Sequence, residues 1–164
     1  MTQDAHHKFE TPIQLTYEQH FQAVFRNFIS FLKTLESKIG KEEVTSILKE
    51  WSTQRGCEIA KGMEVTDFEH FKKLWKATTT NDYFSHVITV EFPEESDSQL
   101  ACKYTECLYA KILKELEAEE FGYIMLCHPD FSMAEGMHPN LGLERTKTLM
   151  QGHDCCDHRY LWKD

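Results

Sequence analysis

The sequence predicts an α+β fold, in which a helical N-terminal half packs with a small antiparallel sheet of about three strands. Apolar residues recur every three or four positions through the first half of the chain, which is the pattern of amphipathic helices. From Phe84 to Phe92 they alternate, as in a strand with one buried face, and two strand-like segments joined at Gly152 end the chain as a hairpin. We expect a single domain over 1–164, with a helical part over 12–80 and a strand, two helices and the hairpin over 83–164.

The first helix is predicted to begin after Thr16 and to end at Gly40. Thr16 and Gln19 have the spacing of a capping box, and glycine is the usual residue just past a helix C-terminus. The apolar residues between them are spaced four and three apart and share one face, so we expect this face to pack on the core. Its members are Tyr17, Phe21, Val24, Phe28, Phe31 and Leu35.

A second helix is expected over 42–60, and a third follows a capping-box pair formed by Thr66 and Glu69. The polar run over 78–82 is expected to end the third helix. Cys57 has no ligand-like neighbour, and we interpret it as structural. The residues predicted to face the core are Val44, Leu48, Trp51, Phe68, Phe71 and Trp75.

The strand over 84–92 places His86 on its apolar face, where a core histidine is more common than a site residue. Pro93 is expected to end this strand. A fourth helix is predicted over about 97–117 from its apolar spacing. Residues 119–136 are predicted to form a helix kinked or broken at Pro129, because proline lacks the backbone donor; a strand over 123–126 is the alternative.

Composition restricts the classes of function. The 18 Lys+Arg and 27 Asp+Glu give a net charge of −9, and no basic run is present, which argues against nucleic-acid binding. No apolar stretch approaches the ~20 residues that span a bilayer, and residues 1–10 are too polar for a secretory signal. We therefore expect a cytoplasmic protein with no nucleic-acid or membrane partner, in which the six Cys are thiols. A homo-oligomer is compatible with these observations.

Residues with reactive side chains concentrate near the C-terminus, in the two strand-like segments 141–150 and 154–162 and just before them. Because side chains alternate along a strand, Asp154, Cys156 and His158 are expected in one row, as a carboxylate, a thiol and an imidazole. Cys155 points to the opposite face, which makes the vicinal cysteine pair a poor disulfide.

Upstream, Cys127 and Asp130 are three apart and share a face where the chain is helical. One interpretation is a hydrolytic site that uses carboxylates, a thiol and an imidazole for acid–base or nucleophilic chemistry. A second is a metal site, although no zinc-type spacing is present. The candidate metal ligands are Cys127, His128, His138, His153, Cys156 and His158. A third is that the thiols fill the core and the histidines lie on the surface.

Three motifs in this region are specific. Cys127 and Asp130 form Cys-x-x-Asp, Arg145 begins Arg-Thr-Lys-Thr-Leu, and 152–160 reads Gly-x-Asp-x-Cys-x-His-Arg-Tyr. Together they resemble the L-2-amino-thiazoline-4-carboxylic acid hydrolase family over roughly the last 80 residues, and the front half resembles it only loosely. His153 stands where such sequences often have aspartate.

The resemblance implies a hydrolase acting on a non-peptide carbon–nitrogen bond in a cyclic amidine. Water adds to the ring carbon between nitrogen and sulfur of a 2-amino-thiazoline-4-carboxylate, and C–S cleavage gives N-carbamoyl-L-cysteine, on a route of cysteine biosynthesis. Asp130 or Asp154 is then the candidate general base, His158 the proton donor, and Cys156 an alternative nucleophile. Arg145 is the candidate for a bidentate contact with the substrate carboxylate. The candidate substrate-binding residues are Cys107, Cys127, His128 and Arg145.

The alternative function is a non-catalytic small-molecule-binding or sensor domain, because the same outline resembles small-molecule-sensing domains related to bacterial vinyl-reductase-like proteins. An enzyme should bring its Asp, Cys and His side chains together, whereas a sensor should have a larger apolar cavity with those groups scattered. The expected partner is a small molecule in both cases. No organic cofactor is implied, the cofactor is otherwise unknown, and a divalent metal stays open.

Overall fold

The computed structural model of the chain describes residues 13–63 and 65–163. Residues 1–10, which were predicted to be too polar for a secretory signal, lie outside these residues. So does residue 12, where the helical part was predicted to start. A helical N-terminal half is followed by an antiparallel sheet that includes a C-terminal hairpin, which confirms the α+β prediction. None of the helices in the described ranges is long and apolar enough to cross a membrane.

The helices are α1 (Tyr17–Ile39), α2 (Lys41–Ala60), α3 (Phe68–Thr79), α4 (Asp82–Ser85), α5 (Leu108–Glu115), α6 (Glu119–Gly122) and α7 (Pro129–Met137). A π-helical segment (Tyr123–Cys127) joins α6 to α7, as a helix broken at Pro129 predicts, and the alternative of a strand there is wrong. The strands are β1 (Ile88–Glu95), β2 (Gln99–Cys107), β3 (Leu141–Glu144) and β4 (Cys156–Trp162), with a 3₁₀ turn (Leu149–Gln151) between the last two.

Strand β2 replaces the first part of the predicted fourth helix. The sheet order is β1-β2-β4-β3, so β2 lies inside the sheet and pairs with both β1 and β4. Leu100, Cys102 and Tyr104 are all buried and alternate with exposed or half-buried residues. Leu100 and Tyr104 also fit a helical spacing of four that continues through Leu108 and Ile112, so the sequence pattern is ambiguous here. Only 108–115 is helical, as α5.

The first strand begins later than predicted. Asn81 caps the short helix α4 by accepting from the backbone N–H of Phe84, so the chain is helical where the strand was expected to start. His86 therefore follows a helix; its side chain is 53% exposed and stacks on Tyr17, so the prediction of a core histidine is wrong. Pro93 lies within β1, at a register irregularity of this edge strand, where no ladder hydrogen bond is required of it.

Helix α1 buries a different face from the predicted one. The capping box of Thr16 and Gln19 is present, but the buried residues are Phe25, Ile29 and Leu32. The exposed apolar residues of the two front helices include Val24, Phe28, Phe31 and Trp51, which were all expected in the core. Helix α1 carries two adjacent apolar stripes, and packing against α5 selects the one that the sequence does not single out.

Helix α3 buries Phe68, Phe71 and Trp75 as predicted. Its N-cap is Asp67 rather than Thr66: the Asp67 carboxylate accepts from the backbone N–H of His70 at 2.8 Å. Aspartate caps a helix as well as threonine does, and here the N-cap lies one residue after the predicted Thr66.

Strands β3 and β4 pair antiparallel as the predicted hairpin, but their connection is longer than expected. Strand β3 ends at Glu144, and residues 145–155 form the connecting loop, in which Gly152 has a φ of 92°. Because β4 begins at Cys156, Asp154 precedes the strand and does not join the expected row with Cys156 and His158. This loop carries Arg145, and its position determines the site.

Candidate functional site

Three side chains from three different elements meet at one end of the sheet: Asp130 of α7, Arg145 of the β3–β4 loop and His158 of β4. Arg145 Nη1 donates to Asp130 Oδ2 at 2.8 Å and lies 3.2 Å from His158 Nε2. Arg145 Nη2 donates to the backbone oxygen of Cys127 at 3.0 Å. We call these three side chains the Asp–Arg–His cluster; the guanidinium lies at its centre.

The π-helical segment before Pro129 frees the carbonyl that Arg145 uses. His128 donates its backbone N–H to Tyr123 O at 2.8 Å, and Phe131 donates to His128 O at 3.3 Å. The carbonyl of Cys127 consequently takes its donor from the Arg145 side chain rather than from α7. Such irregular turns recur at functional sites because they release backbone groups from the helical ladder.

Asp157 fixes the loop that carries Arg145. Its carboxylate accepts from the backbone N–H of Thr146 at 2.9 Å, from Thr146 Oγ1 at 2.5 Å and from the backbone N–H of Lys147 at 2.5 Å. Burial acts to raise the pKa of Asp157, but these hydrogen bonds outweigh it and hold the pKa below its usual value. Asp157 and His158 point to opposite faces of β4, so one strand anchors the loop and contributes to the cluster.

Aromatic rings surround the buried guanidinium. The Cζ of Arg145 lies 4.8 Å from the ring centre of Phe131 and 5.5 Å from that of Tyr123, and the Arg145 side chain is only 2% exposed. The ring of Tyr104 lies 4.8 Å from that of His158. Sequence reasoning missed these rings, although Tyr123 and Phe131 flank Cys127 at four residues on either side. Cation–π contacts of this kind contribute ~0.5–2 kcal/mol each.

Burial and the central cation set the protonation states of the cluster. Burial raises the pKa of Asp130 to about 6, and Arg145 opposes part of that rise. The Asp130 side chain keeps 22% of its surface exposed, so solvent still reaches this carboxyl. Burial, together with the charge of Arg145, lowers the pKa of His158 to about 3. Because Nε2 of this neutral ring accepts from Arg145, we assign its proton to Nδ1.

The cysteines near the cluster are thiols. Burial raises the pKa of Cys156 to about 11, although its sulfur accepts from the backbone N–H of Leu149 at 3.2 Å. Burial likewise raises the pKa of Cys127 and of Cys107, and the charge of Asp130 adds to both rises. Cys127 and Cys107 are half-buried, whereas Cys156 is buried.

The structure separates several predicted site residues from the cluster. Asp154 is 78% exposed and lies 3.4 Å from Lys147 Nζ, outside the cluster. His128 packs toward α2, where its Nδ1 lies 3.1 Å from Ser52 Oγ. His138 stacks on Trp162. Within the described residues, no group of three or more His, Cys, Asp or Glu has the arrangement of a metal site.

A family model described as L-2-amino-thiazoline-4-carboxylic acid hydrolase matches residues 18–160, which include the whole cluster. The chain belongs to this family. Each of the three motifs that carry the sequence resemblance supplies one member of the cluster: Cys-x-x-Asp gives Asp130, Arg-Thr-Lys-Thr-Leu gives Arg145, and the last motif gives His158. The description of the family indicates hydrolysis as its general class of activity. No curated protein matches the chain.

Two solved structures resemble the chain at low identity. A trafficking protein particle complex subunit 3 from Naegleria fowleri, covalently bound to palmitic acid, is 11% identical with a TM-score of 0.49, over 90% of this chain and 95% of that chain. The phenol-responsive sensory domain of the transcription activator PoxR, with phenol, is 12% identical with a TM-score of 0.47, over 93% of this chain and 78% of that chain.

Proposed function

We propose that this chain hydrolyses a 2-amino-thiazoline-4-carboxylate and opens the ring to N-carbamoyl-L-cysteine. The observation that supports the proposal is the convergence of three separate family motifs on one Asp–Arg–His cluster. A sensor would be expected to leave such groups scattered. Because the product is N-carbamoyl-L-cysteine, we propose that the reaction belongs to a route of cysteine biosynthesis and takes place in the cytoplasm.

Asp130 is the proposed general base. With a pKa of about 6 and 22% of its side chain exposed, it is largely ionised at neutral pH and can take a proton from water. The exposed Asp154, which the sequence offered as the other candidate, has neither the burial nor the neighbours for this role. A base with a pKa close to the working pH combines a large ionised fraction with useful basicity.

The reaction balances with Asp130 alone moving protons. As the water oxygen bonds to the carbon between nitrogen and sulfur, one water proton passes to Asp130 and the C=N bond becomes single, with its electrons on the ring nitrogen. That nitrogen takes the proton back from Asp130. The hydroxyl oxygen then gives its proton to Asp130 and forms C=O as the C–S bond breaks, and the sulfur leaves with the electron pair and takes this proton. The two water hydrogens end on nitrogen and sulfur, and Asp130 is ionised again.

Arg145 and His158 are proposed to position this base. The Arg145 guanidinium already contacts Asp130, His158 and the Cys127 carbonyl. It is therefore poorly placed for the bidentate contact with the substrate carboxylate that the sequence led us to expect. A His158 with a pKa near 3 is a poor proton donor at neutral pH, and accepting from Arg145 is the role that its contacts support. The buried thiol of Cys156 is a weak nucleophile, because burial raises its pKa to about 11 and keeps it protonated.

The experiment is incubation of the purified protein with 2-amino-thiazoline-4-carboxylate, read as released free thiol, with and without added divalent metal. Ring opening above the buffer rate is the expected result. An unchanged thiol signal in both conditions would contradict the proposal and favour the non-catalytic binding domain.

A further inference from the structure

The two front helices expose an apolar face. Each of its side chains is large and apolar, and each is 38–56% exposed. They are five of the nine exposed large apolar side chains in the described part of the chain, so exposure of this kind is concentrated here. We call this surface the α1–α2 face, and its members are Val24, Phe28, Phe31, Ile47 and Trp51.

The apolar residues of α1 on this face lie beside α2. Val24, Phe28 and Phe31 are four and three residues apart, so they share one side of the helix. Leu35 continues the same row and packs against the core cluster that includes Val44 of α2. Because only one residue separates the two helices, the row on α1 runs along the side on which α2 lies.

Ile47 and Trp51 lie on the side of α2 that faces this row. The buried residues of α2 begin with Val44 and Leu48. At ~100° per residue, the exposed apolar residues of each helix lie roughly 100° from its buried ones, in the same rotational sense when each helix is viewed from its N-terminus. Since the two helices meet at one residue and pack on one core cluster, this shared sense directs both sets toward the seam between them.

The area of the α1–α2 face matches what one half of a dimer interface needs. Side chains of this size present ~150–250 Å² when fully exposed, so their exposed fractions give on the order of 450 Å² of apolar surface. A stable interface buries ~800 Å² on each partner, of which ~56–65% is apolar. The face can therefore supply the apolar centre of such an interface.

The positions of these residues along the two helices also match. Phe31 and Phe28 lie nine and twelve residues before Gly40, and Ile47 and Trp51 lie seven and eleven residues after it. At 1.5 Å per residue, all four lie ~10–18 Å from Gly40 along their helices. A two-fold axis along the seam keeps these heights and places α1 of one copy over α2 of the other. The two phenylalanines then meet the isoleucine and tryptophan of the second copy.

The charges at the edge of the face are complementary under the same axis. Lys38 follows Phe31 by seven residues and Glu43 precedes Ile47 by four, so each continues an apolar row, and both are exposed. They lie two and three residues from Gly40, which gives them similar heights. The axis therefore brings Lys38 of one copy opposite Glu43 of the other. The apolar centre carries no charge, which limits the repulsion between two chains of net charge −9.

We propose that the chain forms a two-fold symmetric homodimer through the α1–α2 face, with α1 of each copy packed on α2 of the other and Lys38 paired with Glu43 at the edge. A second copy is the occupant because the area, the heights and the edge charges are all self-complementary, as a two-fold interface requires. The dimer does not depend on the proposed hydrolase activity.

The first test is sedimentation equilibrium of the purified full chain at about 1–100 µM, a range that covers micromolar dissociation constants. Twice the mass of one chain is expected at the upper end, and the mass of one chain throughout would overturn the proposal. Phe31→Glu should raise the Kd of the dimer at least about 100-fold, because it buries an unpaired charge at the centre of the interface. Trp51→Glu should do the same from α2.

Ser30→Glu is the matched control for Phe31→Glu. It adds the same charge at an exposed position on another side of α1, and it should leave the Kd within about threefold of the unmodified value. Circular dichroism of all variants checks that they are folded. A dimer that persists in folded Phe31→Glu and Trp51→Glu, or an equal loss of dimer in Ser30→Glu, would overturn the assignment of the face.

The second test exchanges the edge charges. Lys38→Glu should raise the Kd about three- to tenfold, because it places two carboxylates opposite each other, and Glu43→Lys should do so by opposing two ammonium groups. The double variant restores opposite charges and should return the Kd to within about threefold of the unmodified value. A double variant that dimerises no better than either single variant would overturn the arrangement of α1 on α2.

Discussion

Arg145 is a cation that the fold has almost completely removed from water, and its contacts explain how this is tolerated. Its hydrogen bonds go to a carboxylate, an imidazole nitrogen and a backbone carbonyl, and two rings cover the guanidinium. Breaking a buried ion pair by removing one partner costs ~3–5 kcal/mol, because the remaining charge is left uncompensated. Asp130 lessens that cost by taking up a proton, since its pKa is already raised to about 6.

The pH dependence of the rate should report Asp130. If this carboxylate is the base, kcat/KM rises with pH as the group ionises, with a midpoint near its pKa of about 6. Because Arg145 holds this pKa down, Arg145→Met should move the rising limb to higher pH. Rates measured across the pH range for both proteins test this shift, and a limb that stays in place or moves to lower pH would contradict it.

His158→Gln is the control for that assignment. Glutamine can still accept from Arg145, but it has no titratable group, and the pKa of His158 is already near 3. The rising limb should therefore persist in this variant. Its disappearance would mean that the histidine, and not Asp130, titrates in the reaction.

At the scale of elements, α7 reaches the cluster through a close contact with α2 at Gly56. A Cβ added there would lie 2.1 Å from Ser132 Oγ and 2.4 Å from the carbonyl oxygen of Pro129, both in α7. Gly56→Ala should therefore lower the free energy of unfolding by ~1–3 kcal/mol, since overpacking forces neighbouring backbone to shift. It should also reduce the rate, because α7 carries Asp130. Denaturant unfolding and the ring-opening assay measure the two effects.

Gly62→Ala is the matched control for this substitution. A Cβ at Gly62 would meet only the carbonyl oxygen of Ile59, at an ordinary 3.6 Å. This variant should unfold within ~0.5 kcal/mol of the unmodified protein, as most surface changes do. Equal losses of stability in the two variants would show that the tight contact between α2 and α7 is not the cause.

The elements that sequence patterns predicted correctly have one dominant period and a clear cap. Helix α3 buries Phe68, Phe71 and Trp75 as expected, and the capping box at Thr16 is present. Prediction failed where two patterns were superimposed. Residues 99–107 fit both a strand and a helix, and α1 carries two apolar stripes, so pairing with β4 and packing on α5 decided the outcome.

At the scale of the whole molecule, the sequence predicted the constituents of the site better than its geometry. Asp130, Arg145 and His158 were all selected from motifs, yet their grouping depends on the loop after β3 and on the π-helical segment. Asp154 was misplaced because a period of two was extended beyond the true start of β4. The burial that shifts the pKa values comes from the assembled core, and no local pattern encodes it.

The six cysteines are all unpaired; Cys155, the last residue of the loop, and Cys156, the first residue of β4, are both buried free thiols. The thermal unfolding midpoint should therefore be the same with and without a reductant, because no disulfide restrains the unfolded chain. Calorimetry of freshly purified protein in both conditions measures this. A midpoint that falls by several degrees on reduction would indicate a disulfide and contradict the free-thiol arrangement.

The central claim is that Asp130 activates water for ring opening, and the most direct measurement compares Asp130→Asn with Asp154→Asn. Both substitutions remove one carboxylate, but only Asp130 lies in the cluster, whereas Asp154 is exposed beside Lys147. Released thiol should fall by about 10²- to 10⁴-fold in Asp130→Asn, the usual effect of losing a general base, and stay near the unmodified rate in Asp154→Asn. Full activity in folded Asp130→Asn, or an equal loss in both variants, would contradict the account.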